Sequence, residues 1–347
     1  LNQPDQNKRR FLLYVEQNYS FDILRPLQAE ARRRGHEVRW LILEDASESL
    51  LMADEVCVAD VAEAIRFSPH AVFAPGDRLP AFIPGLKVEV FHGINEDKRG
   101  CIYPERGLFD LYCTEGPSRT AMLAPLAAER KYFQVKETGW LKLDTLFNFP
   151  AQAQQYKRPQ ILYASTFTPS LSGASTLFPE ISRLSKSDKW QWLVSMHPKM
   201  APATVANYQR LESDNFAYFG TDKLIELMHR ADIMVSDNSS VLQEFLLLKK
   251  PVVTFRNRDA QPCMVNITEP AELAPAIQRA LAPDKTLTEA IDAYGAAITP
   301  FLDGASAPRV LNAAEDMLNA GWRDRKPANI WRNLKMRRQL DYYGFQK

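Results

Sequence analysis

The feature that most constrains this chain is an alternation. Short runs of β-branched, aromatic and other apolar residues, each too short for a helix, recur between amphipathic stretches of helical period. The series opens with an apolar run at 11–15, a helical stretch at 21–33, Gly35 as a stop and a second run at 38–43, which together read as a βαβ unit. Further strands are expected at 55–58, 71–74, 88–91, 108–113 and 133–136. Strands that are apolar along almost their whole length are buried on both faces, so this half predicts a parallel sheet covered by helices.

Between Asn148 and Arg158 the sequence turns polar and irregular, with Pro150 and Pro159 on either side of Gln152, Gln154 and Gln155, as expected of a linker. A second series follows, with strands expected at 160–164, 192–196, 217–219, 233–236 and 252–255 and helices at 204–211, 222–229, 239–248 and 271–281. A length of 347 residues also suggests two domains at roughly 150 residues each. The expected division is one Rossmann-like domain over 1–150 and a second over 151–300. The basic, aromatic segment 301–347 would pack back on the first domain, meet a membrane, or both. Two consecutive doubly wound α/β domains facing an interdomain cleft describe the GT-B plan, whose ligands lie at the carboxyl ends of the strands. Nucleotide-sugar epimerases share that plan, so fold alone does not name a reaction.

Composition narrows the classes. With 46% hydrophobic and 24% charged residues the chain is neither disordered, collagen-like nor a coiled coil. Lys and Arg total 43 against 42 Asp and Glu, which gives no signature of a nucleic-acid binder. The four cysteines, Cys57, Cys101, Cys113 and Cys263, have no metal-ligand spacing and read as free thiols of a reducing compartment, so a cytoplasmic location is expected. No stretch approaches the ~18 consecutive apolar residues of a membrane span, and no charged leader precedes an apolar run.

The sharpest local signal runs from Val235 through Ser236, Asp237, Asn238, Ser239 and Ser240 to Glu244: a buried strand, a polar turn, then a helix. A helix start offers unpaired N–H groups, and two serine hydroxyls beside it add donors suited to a phosphate. The plainer alternative is that Asp237 or Ser239 caps the helix. Glu244, four residues after Ser240, projects from the same helix face, where it could accept both hydroxyls of a ribose; otherwise it is a solvated glutamate. Of the five histidines, His92 with Gly93 follows one expected strand and His197 with Pro198 another. Imidazoles at strand ends can divide acid–base and electrostatic work. His36, His70 and His229 read as structural. No histidine stands in a metal-site spacing, so no protein-held metal and no cofactor are expected. Tyr163-Ala164-Ser165-Thr166-Phe167 closes the first strand of the second series and offers hydroxyls and amides at the same level.

In this order, His92-Gly93, Tyr163 to Phe167, His197-Pro198, Ser236 to Ser240 with Glu244, and Lys250-Pro251-Val252 resemble the CDP-glycerol glycerophosphotransferase family, which includes teichoic acid primases and polymerases. The resemblance implies a GT-B transferase that moves glycerol phosphate from CDP-glycerol to a hydroxyl of a lipid-linked surface glycan and releases CMP. It implies His92 as general base, His197 on the donor diphosphate with Asn238, Ser239, Ser240 and Thr166, and Glu244 on ribose. Gly93, Lys98, Arg99 and Asp237 would shape the site or the acceptor. The family commonly has Thr after His-Gly and Lys five residues after the His, where this chain has Ile94 and Asp97; it also has Ser165 and Thr168 where Pro and Arg are frequent. Two other readings stay open: a GT-B glycosyltransferase or epimerase of sugar nucleotides, and a non-catalytic nucleotide- or glycan-binding relative.

Near the C-terminus Arg323, Arg325, Lys326, Arg332, Lys335, Arg337, Arg338 and Lys347 face only Asp324 and Asp341, interleaved with Trp322, Ile330, Trp331, Leu334, Met336, Leu340, Tyr342, Tyr343 and Phe345. That mixture suits either an anionic membrane surface or a helix packed across the first domain.

Overall fold

A computed structural model describes residues 8–43, 46–93, 106–150 and 156–344. The chain divides into two compact units, one made of Leu1–Asn148 with Ala297–Lys347 and the other of Phe149–Ala296.

The first unit contains β1 (Arg10–Val15), α1 (Ser20–Arg33), β2 (Glu37–Ile42), α2 (Val61–Phe67), β3 (Ala71–Ala74), β4 (Leu86–Glu89), β5 (Leu111–Thr114), α3 (Pro117–Arg130), β6 (Gln134–Glu137) and α4 (Leu141–Phe147). Its six strands pair in the order β2-β1-β3-β4-β5-β6, all in parallel. Alternation along β1 explains why both faces need cover. Phe11, Leu13 and Val15 join a core with Phe21, Leu24 and Leu27 of α1, while Leu12 and Tyr14 join one with Val61, Ala64 and Phe67 of α2. Leu13 is 1% exposed, and its replacement by Ala would cost about 2–5 kcal/mol.

The second unit contains β7 (Gln160–Tyr163), α5 (Ala174–Leu184), β8 (Gln191–Ser195), α6 (Pro202–Gln209), β9 (Phe216–Phe219), α7 (Leu224–Arg230), β10 (Ile233–Ser236), α8 (Val241–Leu247), β11 (Val252–Phe255), β12 (Met264–Ile267), α9 (Leu273–Leu281) and, as far as Ala296, α10 (Lys285–Ile298). Its parallel order is β12-β11-β10-β7-β8-β9. Strand order reverses between β7 and β10 here, and between β1 and β3 in the first unit. Such switch points are where doubly wound sheets receive ligands.

The chain ends with α11 (Ser306–Asn319) and α12 (Ile330–Gln339). The buried Asp144 carboxylate accepts from the N–H groups of Ser306 and Ala307 at 2.9 and 2.7 Å, satisfying donors that open α11 and fixing that helix beside α1 and α4. Burial raises the Asp144 pKa. Lys326 pairs with buried Asp110. On α12, Arg332 donates to the Arg106 carbonyl at 3.0 Å, and Arg337 lies 4.1 Å over Phe82, on which Tyr342 stacks. The opposite face of α12 carries exposed Trp331, Leu334, Lys335 and Arg338, with Trp331 85% exposed. No helix among the described residues is long and apolar enough to cross a membrane.

The structure departs from the expected elements at three places. Residues 55–58 form no strand, only a bridge from Cys57 to Trp40, because Glu55 turns inward to Arg25 and Gln28 and Asp60 already caps α2. The edge strand β12 was not anticipated: exposed Asn266 and half-buried Met264 interrupt its apolar signal. The helix expected over 239–248 is the shorter α8, since Ser239 and Ser240 stay in the turn.

Candidate active site

In the second unit the loops after β8, β7 and β10 leave neighbouring strands. Asp237, 1% exposed, follows β10. Its carboxylate accepts from the Ser165 hydroxyl, from Thr166 N at 2.9 Å, from Gly173 N at 2.8 Å and from Asn238 N at 2.6 Å. One carboxylate therefore ties the end of β10 to the end of β7 and the start of α5, across the switch point. Ser236 Oγ adds a bond to the Ala164 carbonyl at 2.7 Å. Asn238 donates to Leu171 O at 3.0 Å and accepts from Arg258 N at 2.9 Å, and its own N–H is committed to Asp237, so both its side chain and its N–H hold the loops together. Asn257 donates to the Asp237 carbonyl at 2.6 Å.

The clasp gives Asp237 a task other than capping. Asp237 does not cap α8, and Ser240, in the N-cap position, makes no side-chain capping bond. The turn presents Ser239, half-buried, and Ser240, exposed, on a backbone fixed from three sides. Glu244 is 5% exposed, which excludes the solvated-glutamate reading.

His197 follows β8. Its Nδ1 accepts from Lys199 N at 3.0 Å, so the neutral ring carries its proton on Nε2 and donates there. Phe167, from the β7 loop, covers one ring face at a centroid distance of 4.3 Å. Partial burial, then the Lys199 ammonium, pull the His197 pKa below the ordinary imidazole value.

In the first unit His92 follows β4, half-buried. Its Nδ1 lies 2.9 Å from the Pro75 carbonyl at the end of β3. A carbonyl only accepts, so Nδ1 carries the proton and Nε2 of the neutral ring is the basic atom. Tyr19, from the loop after β1, stacks on the ring at 5.1 Å. His92 is thus brought towards the ends of the two strands that flank this unit's switch point. Phe91, just before it, has φ +52°, a conformation that bulky residues rarely hold. Gly93 offers its carbonyl to Arg119 Nη2 at 2.7 Å. Lys98 and Arg99 lie outside the described residues.

Sequence reasoning missed Arg119, Tyr19 and the Ser165–Asp237–Gly173 connection. The available signal for Arg119 was its i,i+4 spacing from Glu115 in a helix that starts right after a strand. Among the described residues no group of three or more His, Cys, Asp or Glu could hold a metal ion. A cavity of about 670 Å³ lined by Tyr156, Arg158, His229, Arg230 and Asp232 lies before the first residues of β7 and β10, at the opposite end of these strands from the clasped turn.

With this geometry established, comparison with known proteins is informative. At the level of fold, S. aureus MnaA in a co-structure with UDP matches with TM-score 0.65 and 15% identity, covering 90% of this chain and 97% of that one. A variant of the wall teichoic acid polymerase TagF matches with TM-score 0.60 and 15% identity, covering 90% of each chain. The UDP-GlcNAc 2-epimerase from Neisseria meningitidis bound to UDP-GlcNAc matches with TM-score 0.62 and 14% identity, covering 88% of this chain and 100% of that one. The two parallel sheets with flanking helices are thus of the GT-B class. No curated protein sequence matches the chain. The sequence model of the CDP-Glycerol:Poly(glycerophosphate) glycerophosphotransferase family matches residues 134–315, a stretch that includes Ser165, His197, the clasped turn and Glu244 but not His92. Since that match spans more than half of its length, the chain belongs to the CDP-glycerol:poly(glycerophosphate) glycerophosphotransferase family.

Proposed function

We propose that this protein transfers glycerol phosphate from CDP-glycerol to a hydroxyl of a lipid-linked glycan, with release of CMP. The acceptor oxygen attacks the β-phosphorus and the acceptor proton passes to His92 Nε2. The bond from that phosphorus to the bridging oxygen breaks, and CMP leaves with the bridging oxygen. Such a transfer requires alignment and charge stabilisation more than covalent catalysis. In the second unit Ser239, Ser240 and the Thr166 hydroxyl would bind the diphosphate, His197 Nε2–H would donate to it, and Glu244 would accept the ribose hydroxyls. The observation that carries this reading is the family match over the turn that Asp237 clasps. The sugar-nucleotide reading keeps one specific support, since fold neighbours bind UDP and UDP-GlcNAc.

Calorimetry tests the donor side. Replacing Ser239 and Ser240 together by Ala should weaken donor binding by about 1.5–3 kcal/mol for each hydroxyl on the phosphate, and Glu244→Ala should weaken CMP as well. Unchanged CMP affinity in both variants would mean that the nucleotide binds elsewhere.

The lipid-linked acceptor would be met at the inner face of a membrane by the outward face of α12. Trp331 and Leu334 supply apolar contact there, and Lys335 and Arg338 supply positive charge for anionic headgroups.

A further inference from the structure

The turn that carries His92 is held by a side chain that the reaction itself does not call for. Arg119 lies in the first turn of α3 and is 3% exposed. Its guanidinium carbon stands 3.9 Å over the Phe91 ring, and its Nη2 donates to the Gly93 carbonyl at 2.7 Å. One planar cation thus holds the residue before His92 by its ring and the residue after it by its backbone. Glu115, just ahead of the helix, places a carboxylate oxygen 3.2 Å from Arg119 Nε and offsets its charge.

Two features make this arrangement hard to explain by stability alone. A cation in the first turn of a helix opposes the macrodipole, and a buried guanidinium has to be desolvated. Moreover, Phe91 has φ +52°, which a side chain of its size adopts only when its surroundings impose it, and such strain concentrates at functional turns. Here the ring is imposed upon from two sides, by Arg119 and by Tyr112 at a centroid distance of 6.2 Å. The left-handed residue turns the chain immediately after β4, and the next residue is the one whose Nδ1 meets Pro75 O. Because β4 and β5 are neighbours in the sheet, the start of α3 lies beside this strand end.

We propose that Arg119 is a positioning residue for His92: it stabilises the left-handed Phe91 and the Gly93 carbonyl, and so holds the imidazole with Nδ1 on Pro75 and Nε2 towards its substrate. The inference rests on the reading of His92 as the base. Arg119 touches neither donor nor acceptor in this account, and its effect passes wholly through the imidazole. A planar guanidinium is needed because it stacks and donates in the plane at once, which an ammonium does less well.

The test is steady-state CMP release from CDP-glycerol, in the presence of a lipid-linked glycan acceptor, by the full chain carrying Arg119→Met, Arg119→Lys, His92→Gln, or His92→Gln with Arg119→Met. We expect Arg119→Met to lower kcat at least tenfold with KM for CDP-glycerol within threefold, and Arg119→Lys to recover part of that loss. In the His92→Gln background, Arg119→Met should cause no further loss, since the group it positions is gone. If the double variant is slower than His92→Gln by the full factor seen for Arg119→Met alone, or if Arg119→Met has wild-type kcat, the proposal is overturned. Should Arg119→Met not fold, Arg119→Lys, alone and with His92→Gln, is read against the same two outcomes. A His92→Gln variant that keeps more than a tenth of turnover removes the base reading and this inference with it. An intact His92 effect with an additive Arg119 loss overturns this inference alone.

Discussion

The two strand-end histidines look alike in sequence and differ in structure. Each follows a buried strand of a parallel six-stranded sheet. Yet His92 Nδ1 faces a carbonyl, at Pro75, whereas His197 Nδ1 faces an N–H, at Lys199. The same ring is thereby fixed in opposite tautomers, with a basic Nε2 in the first unit and a donating Nε2 in the second. The backbone partner, more than the histidine, sets the chemistry available. Their surroundings differ accordingly: His92 is half-buried in a turn with a left-handed Phe91, while His197 stands exposed beneath Phe167.

Glutamine substitution breaks this symmetry most sharply, because its amide can donate where an Nε2–H did but cannot act as a base near neutral pH. His92→Gln should lower turnover by about 10²–10⁴-fold, the usual effect of losing a general base, with donor affinity within a few fold. His197→Gln should keep turnover within tenfold of wild type, and His197→Ala should lose more than His197→Gln. Equal losses for the two glutamine variants would refute the division of roles.

A smaller effect separates the two faces of α12. Liposome sedimentation should show Lys335→Gln with Arg338→Gln, and separately Trp331→Ala, weakening binding to anionic vesicles, by about 1 kcal/mol for each cation removed. Added salt should reproduce the charge effect. Arg332 and Arg337, engaged with Arg106 O and with Phe82, should change stability instead. Equal pelleting of wild type and variants on anionic and neutral vesicles would leave α12 as packing alone.

The smallest expected effect compares the units in acid. In the first, hydrogen bonds from Arg33 hold Glu30 at about 2, and those from Arg309 hold Asp303 at about 2. Folded values depressed from 4.5 and 3.8 mean a contribution that is complete above those values and lost as pH falls through about 2. The melting temperatures of Glu30→Gln and Asp303→Asn should therefore lie below wild type at pH 6 and converge with it towards pH 2. Glu180→Gln, at the Glu180–Arg183 pair of the second unit, where Arg183 alone draws the carboxylate down, should show a smaller gap. A gap that stays constant with pH would mean that the side chains act through packing.

Much of this was legible in the sequence because parallel strands buried on both faces are apolar throughout, and β1, β3, β7, β10 and β11 announce themselves in that way. The turn from Ser236 to Ser240 was legible for the same reason, as the polar break after such a strand. What Asp237 does was not, because its partners Ser165, Thr166 and Gly173 lie more than 60 residues away and meet it only once β7 and β10 pair. Arg119 was hidden likewise. An arginine on a helix reads as solvated until β4 and β5 are known to be neighbours, and Phe91 gives no hint of a left-handed backbone that sequence rules assign to Gly or Asn.

The most direct test of the central claim offers the protein CDP-glycerol, CDP-ribitol and UDP-GlcNAc in parallel, with and without a lipid-linked glycan, and identifies the nucleotide released. The account predicts CMP from CDP-glycerol, dependent on acceptor and absent with His92→Gln. Release of UDP, or epimerised UDP-sugar, with no CMP from CDP-glycerol would contradict it.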